Sequence, residues 1–141
     1  MWKEEKMKKL AVLFLIFYAF IGFSQEPKEI QRSIYFGGGS WYIDGQQRQS
    51  LWEVVNDIPN IEFYEISIMS HTDPIGGREF NEYLSRMRSQ SVIDLLRKFG
   101  MPQEIIKYKD FAFDEPAYDN NTWEGRARNR RVDILFTPIA L

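Results

Sequence analysis

From residue 32 onward the chain alternates short β-rich runs with longer stretches of helical spacing. RSIYF at 32–36 has strand composition, GGGS at 37–40 breaks it, and in QQRQSLWEVVNDI at 46–58 Leu51, Val54, Val55 and Ile58 recur with helical spacing. After the turn residues Pro59-Asn60, IEFYEISIM at 61–69 places Ile61, Phe63, Ile66 and Ile68 in the loose alternation of a half-buried strand. A helix is predicted from about Arg78 to Phe99, stopped by Gly100 and Pro102. EIIKYKDFAF at 104–113 predicts a third strand, 114–125 a loop, and RRVDILFTP at 130–138 the last strand. Strand, helix, strand, helix, strand, strand implies an α/β fold, an α+β sandwich with its helices on one sheet face.

The long helix carries an anomaly. At about 100° per residue, Phe80, Leu84, Met87, Val92, Leu95, Leu96 and Phe99 fall on one broad side, and Glu79, Glu82, Arg86, Gln90 and Arg97 on the other. Arg88 falls inside the apolar arc, with Asn81 two turns earlier on nearly the same line. A guanidinium aimed at a core needs hydrogen-bonded, charged company, because an unpaired buried charge costs several kcal/mol. Asp73, in the turn leading into the helix, is the candidate partner, and Gly76-Gly77 would let the chain fold tightly over the helix start. Spacing alone leaves two readings open: a pair that ties a loop to a helix, or a binding site.

The N-terminus changes the domain picture. Lys3, Lys6, Lys8 and Lys9 precede the apolar run LAVLFLIFYAFIGF at 10–23, and Gly22 and Ser24 stand where a signal peptidase takes small residues. This pattern predicts a signal peptide over 1–24, a short linker over 25–32, one domain over 33–137 and a tail over 138–141. The apolar run is shorter than the roughly 20 residues that span a bilayer, so a retained anchor is the lesser reading. The mass of the exported protein separates the two.

Composition excludes several functions. The chain has 141 residues, a net charge of −2, no cysteine and one histidine, His71. Disulfides, thiol catalysis and Cys-ligated zinc are excluded, and a single His leaves little for a metal, so neither metal nor cofactor is expected. The acidic balance argues against nucleic acid despite GRARNRR at 125–131. Glycosidase or amidase chemistry would need paired carboxylates in a cleft, a nucleophile with its base, or a metal. Only loop neighbours such as Asp114 and Glu115 offer themselves, and no enzyme is expected.

The string HTDPIGGREFNEYLSRMR resembles the core motif of OmpA-like C-terminal domains. That motif is Thr-Asp, two residues, Gly, four residues, Asn, two residues, Leu-Ser, two residues, Arg. Thr72, Asp73, Gly76, Asn81, Leu84, Ser85 and Arg88 fill it with every gap matching. A second block resembles the family's ending through Pro116, Asp119, Asn120, Thr122, Gly125, Arg126, Asn129, Arg130, Arg131 and Val132. Phe36 with Gly39-Ser40 is a weaker third match.

The resemblance implies a β-α-β-α-β-β order, a mixed four-stranded sheet with helices on one face, and peptidoglycan as the ligand, gripped at meso-diaminopimelate of the stem peptide. Asp73 would take the ammonium of diaminopimelate and Arg88 its carboxylate, with the bidentate geometry that guanidinium favours. Asn81 would hydrogen-bond the peptide or hold the loop, Thr72 would orient Asp73, and Arg130 would be an accessory contact. Backbone N–H groups near Arg78 would add affinity for the carboxylate. Asn120 and Asn129 are expected to fix loops, Arg126 and Arg131 to be structural ion partners, and His71 to be a hydrogen-bonded neighbour of Asp73. Trp41 and Trp123 are expected to pack over the domain edge rather than stack on sugars.

Some positions depart from the family pattern. Ser70 and Asp110 stand where glycine is usual, and Met87 where a small residue is usual, changes expected to bear on affinity rather than on fold. The resemblance places the chain in the periplasm or at the outer membrane, with outer-membrane proteins as further candidate partners and the oligomeric state undetermined. Two alternatives stay open: a protein-interaction domain of the same fold that has lost the ligand, and a stator-like protein anchored in the inner membrane.

Overall fold

The computed structural model describes residues 27–139, so the predicted signal segment lies outside the described residues, as do residues 140–141. In chain order come β1 (Ile30–Tyr35), α1 (Gly45–Asp57), β2 (Tyr64–His71), α2 (Arg78–Lys98), β3 (Ile106–Ala112), α3 (Trp123–Asn129) and β4 (Arg131–Pro138). Short 3-10 turns at Ile61–Phe63 and Gln103–Ile105 lead into β2 and β3, so both strands start later than the apolar pattern implied. β1 starts two residues earlier than expected, and α3 occupies a stretch read partly as loop.

The sheet order is β1-β4-β2-β3. β4 is antiparallel to both β1 and β2, and β2 is parallel to β3. A parallel pair needs a long crossover, and α2 supplies it between β2 and β3. β1 and β2 also run in the same direction, joined by α1, with β4 inserted between them. The expected mixed four-stranded α/β sheet is the one the chain forms.

Side chains alternate across a strand, so every second residue shares a face. Ile34 of β1, Ile66 and Ile68 of β2, and Val132, Ile134 and Phe136 of β4 are buried in one core cluster with Leu51, Val54 and Val55 of α1 and Val92, Leu95 and Leu96 of α2. Residues between them, such as Ser67, Met69 and Leu135, are half-buried on the other face. α1 begins at Asp44, whose carboxylate accepts the Gln47 N–H at 2.9 Å, an N-cap that satisfies one orphan donor of the first turn. No helix among the described residues is long and apolar enough to cross a membrane.

α2 buries a narrower stripe than its apolar arc suggested. Leu84, Val92, Ile93, Leu95 and Leu96 are buried, whereas Phe80 is 44% exposed and Met87 half-buried. Polar residues take up part of the buried face instead: Asn81, Ser85, Arg88 and Ser89. Ser85 Oγ donates to the Ser70 carbonyl and Ser89 Oγ to Asp110, so α2 is fastened to β2 and β3 by hydrogen bonds as well as by apolar packing. Asp110, which stands where glycine is usual, does not adopt the positive φ that glycine favours; that conformation falls on Ala112, at 49°.

Candidate functional site

Three chain segments meet at one end of the sheet. β1 leaves it through Phe36 and the glycine loop 37–39, β2 leaves it through Thr72 and Asp73, and β4 enters it at Arg130. The pairings Tyr35–Arg131 and Ser70–Val132 fix this meeting point. Ligand sites in open α/β sheets favour such carboxyl ends of parallel strands. Across them lies α2, contributing Asn81, Leu84 and Arg88. Gly38, Gly39, Thr72, Asp73, Asn81, Leu84, Arg88 and Arg130 line a pocket of about 210 Å³.

Arg88 is completely buried. Its Nε donates to the Ser40 carbonyl at 2.9 Å, one Nη to the His71 carbonyl at 3.2 Å and the other to the Gly37 carbonyl at 3.0 Å. The guanidinium also lies 5.1 Å from the Phe36 ring centroid. Guanidinium has five N–H donors, so each Nη keeps one N–H, and two such parallel donors match a carboxylate. Burial, reinforced by the Arg130 cation and opposed by Asp73, lowers the Arg88 pKa to about 10, and the group stays charged at neutral pH.

Asp73 does not pair with Arg88. Its Oδ2 accepts from Arg130 at 3.0 Å and its Oδ1 from the Ile75 N–H at 3.0 Å, a turn that folds the segment back on itself. Arg130 also donates from Nε to the Phe36 carbonyl. The loop-to-helix ion pair considered from spacing is therefore replaced by a pair between β2 and β4, and Arg88 is left with neutral carbonyls. One carboxylate and two guanidiniums give the pocket a net positive charge, which favours an anionic group.

The remaining predicted residues divide. Asn81 Nδ2 donates to the carbonyls of Ile75 and Gly77 at 2.9 and 2.8 Å, holding the loop. Among the described residues its Oδ1 and the Thr72 hydroxyl have no hydrogen-bond partner, although both side chains are buried. A buried polar atom left unpaired is costly, and both of these residues line the pocket. Thr72 does not orient Asp73; the Ile75 N–H and Arg130 do. Gly77 opens α2 with no side-chain cap, and its φ of 82° together with 99° at Gly76 provides the tight turn. A Cβ on Gly76 would stand 2.7 Å from the Phe80 ring, so this glycine also seats the pocket's outer wall.

His71 departs from its expected place. β2 ends there, its register against β3 shifts between Ser70 and His71, and the alternation that would put residues 71 and 73 on one side stops. The imidazole instead stacks on Phe111 with Nε2 3.7 Å from Asp133. Asp133 in turn accepts from Ser33 and Arg131, so Arg131 is the structural ion partner expected. Arg126 donates to the Asn120 carbonyl rather than to a carboxylate. Asn129 fixes its loop as expected, accepting from the N–H groups of Ala117 and Tyr118 and donating to Tyr118 and Asn120. Among the described residues no three His, Asp or Glu side chains converge as a metal would require.

Burial and the Arg131 cation depress the His71 pKa below its ordinary 6.5, outweighing the pull of Asp133 and Glu115. Between that ordinary value and the lower folded one, the unfolded chain holds the extra proton. Stability therefore falls as pH drops through the region below about 6.5. Urea unfolding at stepped pH should show this slope in the wild type, and it should flatten in His71→Gln. An unchanged slope in that variant would show that the imidazole does not carry it; Asp44 and Asp114, whose hydrogen bonds hold their pKa values below 3.8, lose their contribution only at lower pH.

The OmpA family model matches residues 35–130. Outer-membrane lipoprotein YfiB of Pseudomonas aeruginosa is 29% identical over 102 residues, covering 72% of this chain and 61% of its own length. Outer membrane protein Omp38 of Acinetobacter baumannii is 32% identical over 113 residues, covering 79% of this chain and 32% of its own. The chain thus spans less than two thirds of either relative. The crystal structure of the peptidoglycan-associated lipoprotein from Burkholderia pseudomallei aligns with a TM-score of 0.70 at 23% identity, covering 83% of this chain and 98% of that one. The periplasmic domain of Helicobacter pylori MotB aligns at 0.65 with 17% identity, covering 82% and 80%. These two likenesses bear on the fold alone.

Proposed function

The chain belongs to the OmpA family, and from that premise we propose that it binds peptidoglycan without catalysis, gripping meso-diaminopimelate of the stem peptide and linking the wall to the cell envelope. The observation that carries this reading is Arg88: a buried cation held by three backbone carbonyls, with two donors to spare and no carboxylate hydrogen-bonded to it. An incoming carboxylate takes those donors and offsets the desolvation that lowers the Arg88 pKa.

Diaminopimelate bears an ammonium and a carboxylate on one carbon. Asp73 receives the ammonium, sharing its carboxylate between the ligand and Arg130, whose side chain is only partly buried. Asn81 Oδ1 and the Thr72 hydroxyl accept or exchange hydrogen bonds with the peptide. The N–H groups of the first turn of α2 add a weaker pull on the peptide's anionic end. The relatives named for the outer membrane support an envelope location for this chain, after export through the segment at 1–24.

Co-sedimentation of the full chain with insoluble sacculi tests the reading. Asp73→Asn keeps an acceptor for the Ile75 N–H but removes the charge, and is expected to lower the affinity about tenfold or more, the scale of a lost charged hydrogen bond. Its thermal midpoint should change little. A folded wild type that stays in the supernatant, or an Asp73→Asn chain that pellets like the wild type, would overturn the proposal.

A further inference from the structure

Beyond the pocket, the outer side of α2 carries an uncommon row of exposed aromatics. Phe80 and Tyr83 are about half-exposed, and Trp41 meets Tyr83 edge to face with ring centroids 6.1 Å apart. Two open grooves run past them. One, of about 670 Å³, extends from Gly76 and Phe80 past Tyr83 to Arg86; the other, of about 310 Å³, extends from Trp41 and Tyr42 to Asp94 and Lys98. From Phe80 to Asp94 the helix rises about 21 Å, so the two grooves together are long enough for a polymer rather than a single residue. Its near end is the pocket itself, since Gly76 and Phe80 line both.

We propose that this row is a glycan subsite, in which the amino-sugar strand that carries the stem peptide lies along α2 with sugar faces on Phe80, Tyr83 and Trp41. The inference rests on the stem-peptide reading of the pocket. Pyranose rings offer apolar C–H faces and polar rims, the match for aromatic faces beside mixed polar groups. The grooves are lined by Arg48, Arg78, Arg86 and Lys98 with Glu79 and Asp94, and Arg78 is paired with Asp114, which leaves a small positive excess suited to a strand whose stem peptides end in carboxylates. Covalent geometry supplies the second argument. The third stem residue is two residues from the sugar, roughly 7 Å of extended chain, so a peptide held by Arg88 and Asp73 must bring its sugar out at the pocket mouth. Phe80 forms that mouth, its ring seated over Gly76. The edge-packing expected of Trp41 holds, but it leaves Trp41 39% exposed and within reach of a ligand.

Calorimetry on the full chain in detergent micelles, with two soluble probes, tests this. One probe is the free diaminopimelate tetrapeptide, the other the same peptide attached to its disaccharide. The wild type is expected to bind the disaccharide-peptide about tenfold more tightly, a difference near 1.4 kcal/mol. In Trp41→Ala/Tyr83→Ala that advantage should vanish while affinity for the free peptide stays, which also shows the pocket folded. Should the double variant lose the free peptide too, Tyr83→Ala alone decides by the same ratio. Equal affinities in the wild type, or an advantage that survives in the variants, would overturn the glycan subsite and leave the pocket standing. Binding of neither probe would overturn both.

Discussion

Replacing Arg88 with methionine is expected to abolish sacculus binding and to lower unfolding free energy by roughly 3 kcal/mol, since buried acceptors left without donors cost about 1–3 kcal/mol each. Methionine fills a similar volume but donates nothing, so the carbonyls of Gly37, Ser40 and His71 lose their donors together. Those carbonyls belong to the loop after β1 and the end of β2, and the guanidinium is the bolt between them and α2. Removing a buried charge also removes its desolvation cost, which returns part of the loss. The net figure is therefore below the sum of three orphaned acceptors. Arg88→Lys separates the two roles: one ammonium keeps the charge but cannot present a planar fork to three carbonyls and a carboxylate. It should recover some stability and little binding. Urea midpoints at unchanged m-value read the first quantity and co-sedimentation the second. A methionine variant as stable as the wild type would mean that the loop does not depend on the guanidinium.

How much of this was legible beforehand depends on the kind of contact. Arg88 was visible because it broke an apolar arc, a property of one helix and its 3.6-residue period. Its partners were not, since backbone carbonyls carry no sequence identity. The Asp73–Arg130 pair joins residues 57 positions apart, and only the insertion of β4 between β1 and β2 brings them together. Local reasoning pointed Asp73 to the nearest buried cation instead. The sheet was legible because its alternating strands are buried on one face, whereas the starts of β2 and β3 were masked by 3-10 turns whose Ile61, Phe63 and Ile105 continue the apolar pattern of the strands. Phe80 fitted the apolar arc of α2 but, in its first turn, is 44% exposed. The excess of aromatics over core requirements at Phe80, Tyr83 and Trp41 was the one signal of the outer groove, and it needed the fold to be recognised.

α3 was the least legible element and holds the other large effect. It is seven residues long and contains Gly125, a residue that lowers helix propensity. Thr122 caps it, accepting the Gly125 N–H at 2.9 Å, and the Thr122 hydroxyl donates to the Asp119 carbonyl. A Cβ on Gly125 would overlap that Asp119 carbonyl oxygen and stand 2.7 Å from its carbon and 2.8 Å from the Thr122 oxygen. The obstruction is backbone, which no rotamer change relieves. Gly125→Ala, favourable on propensity alone, is thus expected to destabilise by about 3 kcal/mol, the upper part of the range for overpacking. The effect should spread to the ligand pocket, because Arg130 follows α3 directly and its N–H bonds the Arg126 carbonyl. Once the turn at 119–122 moves, Asn129 loses its grip on Tyr118 and Asn120, and Arg130 no longer meets Asp73. Hydrogen exchange should therefore quicken across 117–131 while the α2 core stays protected, and sacculus binding should weaken although every side chain lining the pocket is intact. An alanine variant with wild-type urea midpoint and binding would show that the turn yields without cost, and would detach Arg130 from the loop that is argued to hold it.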